Sequence, residues 1–342
     1  MNAVLPVGKL PHHLLADLLA QAPSQHERVL LGPGVGLDCA ILDMGDTALV
    51  LKTEPITFAT QDIGWYAVQI ASNDIATTGT VPRWMLVTLL LPEGKTTPEL
   101  VTTIGRQIFQ TCQRLGITLV GGHTEITYDL HRPIVVTTLI GEIEKARVIT
   151  PRGARPGDVV ILTKGIPIEG CAILAREFAP RLERILTPEE IQIAQHFIYE
   201  PGISVLRDAQ VAIAAGRVTA MHDPTEGGLA TALWELAEAA GVRLRVDQSA
   251  IPIPPLAQKI CAFFGLDPLG MLASGALLLT APPQDAPRIL EALTSAGISA
   301  AAIGRVESGA PEVFLIVQGQ EQPMPRFARD EIARFYEQQA IT

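Results

Sequence analysis

The stretch at 62–78, DIGWYAVQIASNDIATT, constrains this chain more than any other. Apolar or small residues recur along it every three or four positions, which predicts an α-helix with one face in the core. Asp74 falls on that face, and Asn73 stands beside it. A buried carboxylate without a partner costs several kcal/mol, so this helix predicts a cation, a donor or a ligand next to Asp74. The alternative is that the helix ends early and both residues form a solvated last turn before Gly79.

Length and composition indicate a two-domain protein with a large core. The chain has 342 residues, of which 48% are hydrophobic and 18% charged. Helices and strands are interleaved in both halves, with hairpin-like pairs among them, which favours two α+β domains over one doubly wound sheet. The segment at 150–158 is rich in Pro, Gly and charge and leads directly into a strand. It predicts the domain boundary, with domains at 1–149 and 150–342.

Charge and hydropathy exclude several classes of partner. The net charge is -10, and no run of Lys or Arg is long enough to follow a phosphate backbone, so nucleic acid and anionic membranes are not expected. No apolar run is long enough to cross a bilayer, and the first residues lack a signal-peptide pattern. The four cysteines are far apart and form no C-x-x-C motif, which predicts buried thiols and fits a reducing cytoplasm.

The glycines at 32, 34 and 36 precede a predicted strand and are followed by Asp38. A Rossmann fingerprint follows a strand and opens a helix, and a P-loop continues into Gly-Lys-Ser/Thr, so neither applies. What remains is a loop with accessible backbone N–H groups. Such a loop can surround phosphates, or it can be a plain surface loop.

The sequence HDPTEGG lies between a predicted strand and a predicted helix. Asp223 as N-cap, Pro224 at the first helical position and Glu226 at the third fit a capping box. That interpretation leaves Gly227 and Gly228 unexplained, because each glycine costs a helix about 1 kcal/mol. An anion approaching the backbone at the helix start would explain them, although Glu226 would repel it.

A third polar cluster, Gly121 to Glu125, follows a strand that we predict to be short and buried, at 117–120. The cluster is either a tight turn or a place where His123, Thr124 and Glu125 converge at a strand end. Together with these, carboxylates are spread over loops and element ends without Cys or His metal spacing: Asp38, Glu54, Asp74, Glu125 and Asp223. Such oxygen ligands suit Mg²⁺ bound together with substrate phosphates.

The order of these motifs resembles the AIR synthase (PurM-like) superfamily, and within it the HypE hydrogenase-maturation proteins and the AIR synthase-related proteins. The resemblance runs from Gly8 to about Val317, and its strongest pieces are at 73–76 and 223–230. It implies an N-terminal AIR synthase-like domain that binds ATP and forms a dimeric β-barrel with a second copy, followed by a C-terminal α+β domain. Family members use ATP to phosphorylate an amide or carbonyl oxygen or another small acceptor.

The resemblance also implies roles by position. The metal ligands would be Asp38, Glu54 and Asp74. The ATP-binding residues would be Lys9, Gly34, Gly36, Asn73, Gly121, Gly122, Thr124, Gly227 and Gly228. The catalytic residues would be His123, which could orient the acceptor, and Asp223. The cofactors implied are ATP and Mg²⁺, in a homodimer that acts on a small molecule.

The chain departs from HypE where HypE handles its acceptor. HypE ends in a cysteine that carries the reacting group, whereas this sequence ends QQAIT. The HypE segment Asn-Glu-Gly-Lys corresponds here to 273–276, ASGA, and Glu226 stands where HypE has arginine. We therefore expect ATP-dependent phosphorylation or activation of a different small acceptor. The alternatives are a catalytically altered nucleotide-binding or maturation-assembly protein, and a small-molecule kinase of the thiamine-monophosphate kinase type.

Overall fold

The structure is a computed structural model that describes residues 5, 10–34, 36–57 and 61–340. These residues form two compact units. The six-stranded unit comprises Ser24–Gly32 and Asp38–Val148, and the seven-stranded unit comprises the described residues before Ser24, those of Pro33–Leu37, and those from Ile149 onward. Every helix in the described part of the chain is too short or too polar to span a membrane.

The elements are numbered in chain order. The helices are α1 (His12–Leu19), α2 (Ile63–Thr77), α3 (Pro98–Leu115), α4 (Ile168–Glu177), α5 (Ala179–Leu182), α6 (Pro188–His196), α7 (Leu206–Ala215), α8 (Gly228–Ala240), α9 (Pro255–Phe264), α10 (Ala286–Ser295) and α11 (Glu331–Ala340). The strands are β1 (Val29–Leu31), β2 (Ala40–Asp43), β3 (Thr47–Ile56), β4 (Pro82–Pro92), β5 (Thr118–Thr127), β6 (Ile134–Glu144), β7 (Val159–Thr163), β8 (Ala220–His222), β9 (Arg243–Asp247), β10 (Leu278–Ala281), β11 (Ala300–Glu307), β12 (Glu312–Val317) and β13 (Gln320–Pro323).

The six-stranded unit is an open sheet with α2 and α3 beside it. The strand order is β1-β2-β3-β6-β4-β5, and β2 and β3 form one of the hairpin-like pairs that the sequence predicts. The Thr137 hydroxyl of β6 donates a hydrogen bond to the Ala67 carbonyl of α2 at 3.1 Å, which ties the helix to the sheet. The two helices approach closely at Gly64, where a Cβ atom would lie 2.6 Å from the Ile104 carbonyl oxygen. The helix start therefore needs a glycine.

The helix predicted at 62–78 is confirmed as α2, and the alternative of a solvated last turn is wrong. Asn73 is fully buried and Asp74 is only 5% exposed. The helix is buried on nearly all sides, from Ile63 to Thr77. The carboxylate of Asp74 therefore sits in the core of the six-stranded unit, as the apolar spacing predicted.

The seven-stranded unit is a mixed sheet in the order β13-β12-β9-β11-β7-β10-β8. One face of α8 packs into the core of this unit through Leu229, Leu233 and Leu236. Apolar residues of the central strands complete this core. The neighbours of β10 are both antiparallel, whereas β9 and β12 run parallel. Five residues of the chain connect the end of β8 to the start of α8.

Two predicted elements differ from the structure. The strand predicted as short and buried at 117–120 is wrong, because β5 continues to Thr127 and is exposed along almost its whole length. Its parallel pairing with β4 carries the strand through the two glycines. The capping box at Asp223 is also wrong, because α8 begins only at Gly228. Gly227 and Gly228 have φ angles of +80° and +65°, and this left-handed turn delays the helix start.

Candidate functional site

The buried end of α2 meets two charged residues of β3 in the six-stranded unit. Lys52 and Glu54 lie two positions apart on one strand, so both face the same side of the sheet. The Lys52 ammonium Nζ lies 3.2 Å from Asp74 Oδ1 and 3.2 Å from Glu54 Oε2. The ammonium is thus the cation that the burial of Asp74 called for.

The backbone at Asp74 is fixed from two directions. The Cys39 thiol donates to the Asp74 carbonyl oxygen at 3.2 Å, and the Thr77 hydroxyl donates to the same oxygen at 2.7 Å. The first of these bonds links α2 to the segment just before β2, in which Asp38 precedes Cys39. Cys39 and the other three cysteines are free and buried, which confirms the prediction of buried thiols.

Several carboxylates act on the ammonium group of Lys52. Burial acts to lower the pKa of Lys52, but the negative charges of Asp74, Glu54 and Asp38 outweigh it, and the net pKa is raised well above its usual range. Lys52 therefore stays protonated at any physiological pH. The three carboxylates predicted as metal ligands accordingly form one electrostatic cluster around a lysine.

The polar residues of β5 lie elsewhere in the same unit, on an exposed strand. His123 Nε2 lies 3.2 Å from Glu125 Oε2, and both side chains are largely in solvent. In the sheet register Glu54 is separated from Gly122 by β6 and β4, a span of about 14 Å at the usual strand spacing. The sheet therefore does not bring His123 next to Lys52. Gly121 and Thr124 are likewise exposed strand residues.

In the seven-stranded unit, the end of β8 meets α8 and the glycine-rich loop. His222 Nε2 shares a 2.8 Å hydrogen bond with Glu235 Oε2, and Asp223 beside it is 2% exposed. Gly36 packs on the same glutamate, because a Cβ atom at Gly36 would lie 3.2 Å from Glu235 Cβ. Its φ angle of +71° also favours glycine, and Gly34 belongs to the same loop.

The start of α8 is enclosed by two other segments of this unit. The Gly227 N–H donates to Asp330 Oδ2 at 2.8 Å, so a carboxylate of the chain occupies the anion position at the helix start. A Cβ atom at Gly228 would lie 2.5 Å from the Leu269 carbonyl oxygen and 2.8 Å from backbone atoms of Met271. This close packing explains the second glycine of the motif without a ligand.

Two carboxyl groups of this unit, Glu169 and Asp330, have raised pKa values. Burial, helped by the negative charges of Glu226 and Asp330, raises the pKa of Glu169 to about 7, although a hydrogen bond from Ser274 acts in the opposite direction. Burial likewise raises the pKa of Asp330 to about 6, although the Gly227 amide acts in the opposite direction. Near neutral pH both groups exchange protons, which is the range in which acid–base residues operate.

Four of these residues were not predicted: Lys52, Glu169, Glu235 and Asp330. Lys52 had a signal, because the inward positions of β3 run Ala48, Val50, Lys52, Glu54, and a lysine on a buried face needs a partner. The other three depend on contacts between distant segments, which the sequence pattern does not reveal. Lys9, predicted to bind phosphate, lies outside the described residues.

Each of the two units is a sheet with helices packed beside it, which confirms the predicted class of two α+β domains. The dimeric β-barrel expected of the first domain stays a prediction, because the six strands of one chain form an open sheet. The family model for the N-terminal domain of AIR synthase related proteins matches residues 36–143, and the model for the C-terminal domain matches residues 155–316. The chain belongs to the AIR synthase-related family. The resemblance read from the motifs is therefore confirmed.

Individual relatives point to the HypE branch of this family. A protein of Methanocaldococcus jannaschii named for hydrogenase expression and formation is 30% identical over 299 residues, 84% of each chain. The carbamoyl dehydratase HypE of Rhodobacter capsulatus is 31% identical over 258 residues, 73% of this chain and 72% of that protein. A crystal structure of the hydrogenase maturation protein HypE in complex with ATP superposes with a TM-score of 0.72 at 25% identity, covering 86% and 90% of the two chains.

Proposed function

We propose that this protein binds ATP with Mg²⁺ and uses it to phosphorylate or otherwise activate a small acceptor. The observation that carries the proposal is the buried Asp74, held beside Asp38 and Glu54 around one lysine. The membership of the chain in the AIR synthase-related family and its likeness to an ATP-bound HypE support the choice of nucleotide.

The donor set fits Mg²⁺. Asp38, Glu54 and Asp74 offer hard carboxylate oxygens, and two of these groups already face a cation, the Lys52 ammonium. When bound, Mg²⁺ would neutralise phosphate charge during transfer. The residues of the chain would hold the phosphates in place and fix the reacting groups, which is most of what phosphoryl transfer requires from a protein.

The remaining assignments belong to the same proposal. Phosphates would be bound by Lys9, Gly34, Gly36, Asn73, Gly121, Gly122, Thr124, Gly227 and Gly228. His123 would orient the acceptor and Asp223 would act in catalysis. The ATP-binding part would be residues 1–149 and the second domain 150–342, in a cytoplasmic protein.

We further propose a homodimer formed through the six-stranded unit. Within the described residues β5 pairs with β4 alone, so one edge of the sheet is unpaired. Apolar side chains on β5 are well exposed: Leu119 at 36%, Val120 at 53% and Ile126 at 60%. Leu86 on the adjacent strand adds to this surface. Exposed apolar edge strands are normally covered in native proteins, and a second copy would cover this one.

A second candidate is an ATP-binding assembly protein without turnover. It is favoured by the hydrogen bond from the Gly227 amide to Asp330, because an amide proposed to bind phosphate is already occupied by a carboxylate of the chain. The two candidates differ in ATP hydrolysis or transfer, which only the first requires.

Thermal melting with and without ATP, in Mg²⁺ and in chelator, tests the proposal. A ligand at about 100 times its Kd stabilises the folded state by roughly 2.7 kcal/mol, so a Mg²⁺-dependent rise in Tm is expected. Asp74→Asn should abolish the rise, because it removes the charge of a metal ligand with little change of shape. Asp43→Asn is the control, since Asp43 pairs with Lys145 in the same unit. Absence of any shift at millimolar ATP would contradict ATP binding.

A further inference from the structure

Lys52 bridges two of the residues to which we assign the metal. Its Nζ lies 3.2 Å from Asp74 Oδ1 and 3.2 Å from Glu54 Oε2. The side chains of Lys52 and Asp74 are only 19% and 6% exposed. This is a largely dehydrated contact, so the loss of either partner would leave a charge that is buried without its counterion.

An ammonium and a divalent cation cannot share these oxygens without repulsion. Mg²⁺ binds carboxylate oxygen at about 2.0–2.1 Å, so an ion on Glu54 and Asp74 would lie within a few Å of Lys52 Nζ. Like charges at that distance repel strongly where water is scarce. The flexible four-carbon stem of a lysine lets its ammonium withdraw, but only with loss of both ion pairs.

We propose that Lys52 competes with the divalent cation for Glu54 and Asp74 and so keeps the affinity of the site for free metal low. This inference deepens the proposed function and rests on it, since it concerns the same carboxylates. Lys52 is here a specificity-determining residue, which sets when the site takes up metal. It neutralises part of the acidic cluster when no metal is present, which lets the buried Asp74 remain ionised.

Binding of Mn²⁺, followed by the loss of the free-ion signal in electron paramagnetic resonance, tests this role. The experiment uses the full chain without nucleotide. Lys52→Met should bind Mn²⁺ about tenfold more tightly than wild type or better, because a nearby positive charge is removed. Lys52→Arg, which keeps the charge, should bind as weakly as wild type.

Lys145→Met is the matched control. Lys145 pairs with Asp43 at 3.0 Å in the same unit, but in a more exposed position. Its removal changes the net charge equally and should leave Mn²⁺ affinity unchanged. An equal gain in both methionine variants would overturn the proposal, because the effect would then be one of overall charge. An unchanged affinity of Lys52→Met would overturn it as well.

Loss of Lys52 can also destabilise the fold, because two carboxylates lose their cation. If Lys52→Met melts early, added Mn²⁺ should restore a cooperative transition near the wild-type Tm, since the metal replaces the ammonium. Failure of Mn²⁺ to restore it would count against competition and in favour of a purely structural lysine. Because no nucleotide is present, these results are independent of the ATP-dependent melting that tests the proposed function.

Discussion

At the scale of single residues, Glu169 gives the seven-stranded unit a dependence on pH. Its pKa is raised by burial to about 7 in the folded protein, above the ordinary 4.5. A carboxyl with a raised pKa holds its proton in the folded state while the unfolded chain has lost it. Stability from this group is therefore greatest below pH 4.5 and falls as the pH rises to about 7.

Glu169→Gln should remove this loss. Glutamine has no charge to bury and can still accept the hydrogen bond from Ser274. We expect the variant to be more stable than wild type at pH 8, by on the order of a few kcal/mol, with little difference at pH 4.5. Urea unfolding at both pH values measures the gap.

Glu190→Gln serves as the comparison, because the Glu190 side chain keeps 28% exposure and its pKa is lowered by Lys259 and Thr187. It should gain nothing at pH 8. A Glu169→Gln variant that shows the same stability difference from wild type at both pH values would show that the carboxyl does not titrate as described.

Residues differ in how far the sequence predicted them. The burial of Asp74 could be predicted because its carboxylate falls on the apolar face of a helix. That pattern is visible within one segment of the sequence. Its partner Lys52 lies on another strand, and only the folded sheet shows the contact. Glu169 and Asp330 are farther still from any local signal, because their pKa values depend on burial by segments distant in the chain.

At the scale of elements, the start of α8 depends on backbone packing that only glycine permits. At Gly228 an added Cβ would contact the backbone of Leu269 and Met271 at 2.5–2.8 Å. At Gly241, the C-cap of the same helix, an added Cβ would meet nothing within 4 Å. The φ angles are almost equal, +65° and +67°. The two positions therefore differ in the room available for a Cβ atom and not in backbone strain.

Gly228→Ala should therefore be much more destabilising than Gly241→Ala. The C-cap variant should lose about 1 kcal/mol from the left-handed conformation alone. The Gly228 variant should lose at least about 2 kcal/mol more, because neighbouring backbone must move. Chemical denaturation of both variants gives the difference, and equal losses would refute the steric argument.

Elements with a regular apolar period were predicted well. α2 was predicted from the spacing of its apolar residues. β5 was cut short because Gly-Gly-His-Thr-Glu has no alternation of its own, and the strand is held by hydrogen bonds to β4. The capping box failed for a similar reason, since the φ angles at Gly227 and Gly228 are set by packing.

At the scale of the whole molecule, the proposed dimer is directly testable. Light scattering after size exclusion should give twice the 36.6 kDa of one chain. Val120→Lys should shift the mass to that of a single chain, because Val120 is 53% exposed on the unpaired edge strand and a charge there would be costly to bury.

Ile193→Lys is the control for this prediction. Ile193 is 47% exposed and belongs to α6 of the seven-stranded unit. Ile193→Lys also replaces an exposed apolar side chain with a lysine, and it should leave the measured mass unchanged. A wild-type protein with the mass of one chain would exclude the dimer outright.

The order of the two units along the chain bears on how the protein is made. The six-stranded unit lies between Ser24 and Val148, whereas the seven-stranded unit takes residues from before and after that span and the short segment Pro33–Leu37 within it. During synthesis from the N-terminus, the nested unit is complete less than halfway through the chain and can fold at once. The outer unit must wait for Asp330 to reach Gly227, across 103 residues, before the start of α8 is finished. A translation pause after residue 148 should therefore favour correct folding of the first unit without delaying the second.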